Sequence, residues 1–135
     1  MKREIMSMER YKEVLDMLEQ NGMLIAKLTE TERREISRDG YAMEIAVASN
    51  VHALKFASRQ LKCDKGYMYH LIKDVNPLVM CYCYPSWFRN KYFVDNLREI
   101  AARESSKYGI SKLGELYNQC IDAKVKKAKN IEIQK

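Results

Sequence analysis

The residues whose chemistry could serve catalysis or metal binding are four cysteines and two histidines. Cys81 and Cys83 are separated by one residue, and Cys63 and His70 precede them in the chain. Structural zinc is usually held by two closely spaced Cys or His pairs, and this chain offers one. The pair lies in a predicted short helix, where side chains two residues apart do not face each other. We therefore predict no metal and no cofactor, and interpret the cysteines as small buried hydrophobes.

Nucleophilic catalysis would need a base beside one of these cysteines. Neither His52 nor His70 lies in a recognisable motif, and the sequence has no Gly-rich phosphate loop, Ser-centred elbow or His-Glu-x-x-His pattern. Carboxylate pairs such as Glu30 with Glu32 lie in charged helical segments typical of a solvated face. The sequence thus predicts a protein that is not an enzyme. An enzyme built around Cys81 or His70 is the least favoured alternative.

Aromatic side chains are concentrated in the segment 82–93, which holds six of the chain's 13 aromatic residues. Trp, Tyr and Arg are enriched in the hot spots of protein interfaces, because they bury a large area and keep a polar group. We expect Trp87 and Phe93 in the core, because they align with Leu61 and Tyr67, the core positions of an internal repeat described below. Two or three of the other aromatics should be exposed. The predicted protein interface comprises Tyr82, Tyr84, Phe88, Arg89, Lys91 and Tyr92.

Basic residues form a second group. Lys55, Arg59 and Lys62 recur at intervals of three or four residues, which predicts that they share one face of a helix spanning 51–61. Such a face attracts phosphates or a carboxylate-rich protein surface. The sequence carries no helix-turn-helix, zinc-finger or RNA-recognition signature. The residues predicted to contact nucleic acid or an acidic partner are Lys55, Arg59, Lys62, Lys65 and Arg98.

Hydrophobic periodicity predicts the elements that position these residues. Apolar residues at spacings of three and four recur along most of the chain, and Gly and Pro are few. We predict an all-α fold, a compact array of six to eight short helices with α-solenoid-like stacked helix pairs. Asn21-Gly22 is interpreted as a helix stop with Gly22 in the left-handed conformation. Pro85 is expected to end a helix over 78–84.

An offset of 26 residues reveals an internal repeat within 40–105. It aligns Asn50 with Asn76, Leu61 with Trp87, and one helix-capping residue with another. Each unit would consist of two short helices, each begun by an Asn or Asp cap. Stacked helix pairs of this kind build a core that one pair cannot build alone.

The repeat carries a resemblance. Residues 50–65 read Asn-Val-His-Ala-Leu-Lys-Phe-Ala-Ser-Arg-Gln-Leu-Lys-Cys-Asp-Lys. This segment resembles one repeat of an uncharacterised helical-repeat family of bacterial and protist proteins, with the pattern Asn-Gly-x-Ala-Leu-x-Tyr-Ala-Ser-x-x-Leu-x-x-Asp-(Lys/Arg). Val51 stands where that family has Gly, and a degenerate copy follows at 76–91. The resemblance implies stacked helices and carries no catalytic residues.

Length and charge bound the remaining possibilities. The 135 residues suit a single helical domain at 1–125, with a basic tail at 126–135 expected to fray. Lys and Arg number 24 against 18 Asp and Glu; the net charge is −2 over 1–54 and +8 over 55–135. The sequence has no apolar run long enough to span a membrane and no secretion signal. We expect a cytoplasmic protein, in a bacterial cell or a host cytoplasm, with no membrane partner.

These observations favour a small non-catalytic protein–protein interaction module. It would be an adaptor, or a phage or mobile-element inhibitor of host machinery, whose partner is a protein with an acidic surface. A nucleic-acid-binding protein that uses its Lys and Arg side chains on phosphates is the main alternative. A homodimer stays open, because stacked helices often expose an apolar end.

Overall fold

The computed structural model describes residues 6–108 and 111–133. These residues form seven α-helices and four 3-10 helices, and no strand occurs among them, so the predicted all-α class is confirmed. The helices are α1 (Met8–Gln20), η1 (Gly22–Lys27), α2 (Glu30–Ser37), α3 (Gly40–Ser49), η2 (Val51–Phe56), α4 (Arg59–Lys62), α5 (Lys65–Asp74), η3 (Pro77–Tyr82), η4 (Pro85–Arg89), α6 (Lys91–Tyr108) and α7 (Ser111–Ile133).

The chain divides into two compact units, 1–67 and 68–135, and helix α5 crosses the division. In the first unit, α1, α3, η1 and η2 pack on one another around apolar side chains. In the second, α7 packs along α6 and against both η3 and η4. Fully buried residues include Leu18, Ile25 and Leu54 in the first unit, and Met80, Leu97 and Ile121 in the second.

One local design occurs three times and begins at an asparagine. Asn21, Asn50 and Asn76 each begin a 3-10 helix from an extended conformation, with φ of −161°, −158° and −156°. Each side-chain oxygen accepts the amide two residues later, at 2.9, 3.0 and 2.9 Å. The asparagine thereby satisfies one of the amides that a helix start leaves without a partner. A 3-10 helix of six residues follows each time.

The second half of the design is also repeated. Two extended residues follow each 3-10 helix, and the second of them caps a short helix in the first two copies. Thr29 accepts the Glu32 amide and Ser58 accepts the Leu61 amide, whereas Tyr84 makes no side-chain cap bond. Another Asx residue then begins the longer helix: Asp39 for α3, Asp64 for α5 and Asn90 for α6.

The first of these copies was not predicted. It begins at Asn21, which lies 29 residues before Asn50 rather than 26. The extra length lies between the 3-10 helix and the next longer helix, where α2 has eight residues and α4 has four. A fixed offset therefore aligns the second and third copies and misses the first.

Three local predictions were wrong. Helix α1 does end at Asn21-Gly22, as predicted, but Gly22 is not left-handed; it is the first residue of η1. The segment 51–61 is not one helix, because extended Ala57 and Ser58 separate η2 from α4. The helix predicted over 78–84 ends earlier, at Tyr82, so Pro85 does not end it; Pro85 instead begins η4, which suits its fixed φ at a first helical position. Helix α7 extends to Ile133.

Gly22 is required by the packing of the first unit. A Cβ at this position would collide with the carbonyl oxygen of Ala46 in α3 and would lie 2.8 Å from its carbonyl carbon. The Gly22 amide donates to the Ser49 hydroxyl oxygen at 2.6 Å, which holds the start of η1 against the end of α3. Only a residue without a side chain permits this approach of two backbones.

Candidate functional site

Half of the six aromatic residues in the segment 82–93 pack together, around the buried ring of Phe93. Phe93 is surrounded by Phe88, Trp87 and Tyr69, whose ring centroids lie 5.3, 6.2 and 6.4 Å from its own. Phe88 and Trp87 meet it edge to face, the arrangement that aromatic quadrupoles favour. The expected burial of Phe93 is confirmed, and Trp87 is half-buried.

Phe88 lies in this cluster and not on the surface. Its side chain is 3% exposed, so it is unavailable as a docking residue, contrary to its place in the predicted interface. A 3-10 helix such as η4 has about three residues per turn, so adjacent side chains point in different directions. Phe88 turns inward to meet Phe93, whereas Arg89, the next residue, is exposed.

Four residues of the predicted interface are exposed, one at the end of η4 and the other three on either side of it. Tyr84 is 40% exposed and Tyr92 is 79% exposed, and Arg89 and Lys91 are exposed between them in the chain. We call Tyr84, Arg89, Lys91 and Tyr92 the aromatic–basic surface. Tyr82, the remaining predicted residue, is half-buried at the end of η3.

The aromatic–basic surface is electropositive. Within the described ranges, neither Arg89 nor Lys91 has a carboxylate at ion-pair distance. Both residues adjoin the N-terminus of α6, whose first turn holds no acidic residue and whose cap, Asn90, is neutral. The N-terminus of a helix carries a partial positive charge, so the positive charges of Arg89 and Lys91 are repelled by it. A carboxylate from another molecule would relieve this repulsion.

The basic group predicted from spacing does not form one helical face. Lys55 lies in η2 with its ammonium 5.2 Å from the centre of the Phe56 ring, whereas Arg59 and Lys62 lie in α4 beyond the extended pair. Lys65 begins α5. Residues that recur regularly in the sequence are therefore distributed over three separate helices.

Arg98 has a role inside the second unit. Its guanidinium donates to the Asn118 side-chain oxygen at 2.8 Å and to the Asp122 carboxylate at 2.6 Å. The pair Asn118 and Asp122 are one turn apart on α7, so the planar guanidinium contacts both and joins α6 to α7. Arg98 is thus engaged within the chain rather than open to a partner.

The cysteines do not behave as one class. Cys83 is buried, as expected, but Cys63 and Cys81 are exposed and Cys120 is half-buried. The sulfur atoms of Cys81 and Cys120 lie 2.7 Å apart, although the residues are 39 positions apart in sequence. Sequence reasoning missed this pair, because nothing in the local pattern indicates which turn of α7 meets η3.

The other candidates for chemistry stay apart. His70 lies with its Nδ1 3.1 Å from the Asp74 carboxylate on the same helix. Across residues 6–108 and 111–133, no three His, Cys, Asp or Glu side chains are grouped so that they could hold a metal ion. Of the helices in these ranges, none combines the length and the apolar character needed to cross a membrane.

Comparison of the chain with protein-family models, with curated proteins and with solved structures gave no match. The resemblance of residues 50–65 to a helical-repeat family therefore stays a prediction. The threefold recurrence of the Asn-initiated design rests on the backbone geometry and the hydrogen bonds alone.

Proposed function

We propose that this protein is a non-catalytic interaction module that docks to an acidic protein partner through the aromatic–basic surface. The observation that carries the proposal is the exposure of Tyr92. In the described part of the chain, it is the most exposed large hydrophobic side chain, and it lies beside exposed Arg89 and Lys91. A tyrosine buries a large area at a small cost in conformational entropy, and flanking cations add charge complementarity.

The charge of the second unit supports an acidic partner. Residues 68–135 carry 12 Lys and Arg against 7 Asp and Glu, a net charge of +5. By contrast, residues 1–67 carry 12 against 11, a net charge of +1. The excess positive charge therefore belongs to the unit that carries the aromatic–basic surface, where it attracts carboxylates at long range.

A docking protein of this kind has two modes of action. It is an adaptor where the partner stays active in the complex. It is an inhibitor, as phage and mobile-element proteins are for host machinery, where docking covers the partner's own site. The identity of the partner decides between these modes.

The test is a quantitative pull-down from a cell lysate with three variants. Tyr92→Ala removes the exposed ring, and the double variant Arg89→Glu/Lys91→Glu reverses the charge. Tyr41→Ala is the matched control, because Tyr41 is a 63% exposed tyrosine of the first unit. The proposal requires an acidic protein that wild type and Tyr41→Ala retain and that both other variants lose.

The recovered protein is then purified and its affinity measured directly at increasing salt. We expect Tyr92→Ala to weaken binding at least tenfold, which corresponds to about 1.4 kcal/mol. Equal retention of every partner by all variants, with circular dichroism showing intact helices, would refute the proposal. So would tight binding of single-stranded or duplex nucleic-acid probes whose affinity falls steeply with salt, since the same cations would then serve phosphates.

A further inference from the structure

The second unit brings together two cysteines that lie far apart in sequence. Cys81 belongs to η3 and Cys120 to α7, and their sulfur atoms are 2.7 Å apart. A disulfide needs a sulfur–sulfur distance of about 2.05 Å. Bond formation therefore needs only a small movement of two side chains that already face each other. Cys81 is solvent-exposed, so a small reagent reaches it without unfolding.

The surroundings assign different roles to the two sulfurs. A hydrogen bond joins the Cys81 and Cys120 sulfurs, either of which could be the donor, and together with the charge of Lys124 it lowers the pKa of Cys81 to about 7. The same hydrogen bond and burial raise the pKa of Cys120, which stays a thiol at neutral pH. Lys124 lies one turn after Cys120 on α7, and its ammonium donates to the Cys83 carbonyl oxygen at 2.8 Å. That bond holds the cation near the pair.

The other two cysteines provide the contrast. Cys83 is 1% exposed, and burial raises the pKa of its thiol to about 12, so it is neither accessible nor ionised at neutral pH. Cys63 is exposed at the end of α4 in the first unit. Thiolate character and exposure together decide which thiol reacts with an oxidant. Cys81 combines the two.

We propose that Cys81 and Cys120 form a reversible redox site, in which a hydroperoxide oxidises the pair to an intramolecular disulfide. The Cys81 thiolate attacks the distal oxygen of hydrogen peroxide; the O–O bond breaks, and Cys81 becomes a sulfenic acid while hydroxide leaves and takes up a proton. The Cys120 sulfur then attacks the Cys81 sulfur, its proton leaves with the hydroxyl group as water, and the S–S bond forms. Two thiols and one hydrogen peroxide thus give one disulfide and two waters.

This inference is independent of the proposed docking function. The disulfide would tie η3 to α7 inside the second unit, three residues before Tyr84 in the chain. Reduction by a dithiol restores the pair through thiol–disulfide exchange, because the exposed Cys81 sulfur is open to attack.

The test is oxidation of the full chain by hydrogen peroxide, followed by intact-mass measurement and thiol counting under denaturing conditions. We expect the monomer to lose the mass of two hydrogen atoms and two of its four thiols, and a dithiol to reverse both changes. Trypsin should then release peptide 74–89 linked to peptide 113–124. Fragmentation of that linked pair must place the bond on Cys81 and not on Cys83.

Variants complete the design. Cys81→Ser and Cys120→Ser should each abolish the intramolecular bond, whereas the control Cys63→Ser should form it at the wild-type rate. A further mark of the mechanism is trapping: Cys120→Ser should accumulate a sulfenic acid on Cys81 that a dimedone probe labels. A wild-type product that is a bond between Cys81 and Cys83, a dimer linked through Cys63, or an unchanged four-thiol protein would overturn the proposal.

Discussion

Replacement of Gly22 by alanine should destabilise the protein, because the added methyl group has no space. An ideal Cβ at this position lies 2.8 Å from the Ala46 carbonyl carbon and 3.0 Å from its Cα, and it overlaps the carbonyl oxygen. All three atoms belong to the backbone of α3, so no side chain can rotate away. Gly22 is also held in place by the hydrogen bond of its amide to Ser49.

The magnitude follows from two opposing effects. Forcing a methyl group into a packed interior costs about 1–3 kcal/mol, and a rigid backbone neighbour favours the upper end. Alanine also has less conformational freedom than glycine in the unfolded chain, which stabilises the folded state by about 0.4–1 kcal/mol. We expect the free energy of unfolding of Gly22→Ala to fall by about 2 kcal/mol, which lowers the urea midpoint by about 1 M at a typical dependence on urea.

Gly66→Ala is the matched control, because it makes the same chemical change in a different environment. Gly66 is exposed in α5, and a Cβ there meets only the Asp64 carboxylate oxygen at 3.5 Å, an ordinary contact. Alanine is a better helix former than glycine by up to about 1 kcal/mol, so this variant should match or exceed wild type. Urea unfolding followed by circular dichroism measures both. A Gly22→Ala protein as stable as wild type would refute the packing of η1 against α3.

Three further predictions concern other parts of the structure. The Arg10 guanidinium donates to the Glu32 carboxylate and lowers its pKa below the usual 4.5; the resulting stability is present above pH 4.5 and is lost as the pH falls through the folded pKa. Glu32→Gln should be less stable than wild type at pH 7. Its free energy of unfolding should also fall less than that of wild type when the pH is lowered, and an equal fall in both proteins would count against the Arg10–Glu32 pair. Phe88→Ala should cost about 3–5 kcal/mol in urea unfolding, whereas Tyr92→Ala should change stability by under about 0.5 kcal/mol; similar losses would mean that Phe88 is not in the core. Oxidation with hydrogen peroxide should raise the unfolding free energy of wild type by about 2–4 kcal/mol, since the disulfide closes a loop between residues 39 positions apart; identically treated Cys120→Ser should show no gain.

Helix caps were the part of the fold that the sequence predicted best. The Asn or Asp caps predicted for the repeat units form, since Asp64 and Asn90 accept amides at the starts of α5 and α6, and Thr29 and Glu32 form a capping box at the start of α2. These interactions are local, so residue type and a spacing of two or three positions determine them. The caps also define the repeat, because they recur in each copy while the residues at the apolar positions differ between copies.

The 3-10 helices could not be predicted from hydrophobic spacing. A six-residue segment such as Val51–Phe56 has too few turns for its period to be distinguished from that of an α-helix. Treating 51–61 as one helix placed Lys55, Arg59 and Lys62 on a single face, and the extended Ala57 and Ser58 remove that alignment. An error in one short element thus became an error in a predicted surface.

Long-range contacts could not be predicted from the sequence for a different reason. Arg98 belongs to the basic residues predicted to contact a partner, but in the structure its guanidinium donates to Asn118 and Asp122 of the neighbouring helix. The approach of Cys81 to Cys120 likewise depends on the register of α7 against η3. Register depends on how the whole apolar face packs, which no local spacing of residues encodes.

The third copy of the repeated design departs from the first two where the proposed sites lie. Thr29 and Ser58 cap the helices that follow them, but Tyr84, at the same position, gives no side-chain cap, a loss worth about 1 kcal/mol in comparable helices. Pro85 offsets part of that loss by fixing the first helical φ. A sequence that gives up a local rule at one copy and keeps it at two indicates that another requirement acts there. The exposed Tyr84 ring lies at the position of this departure, and the exposed Cys81 thiol lies three residues earlier.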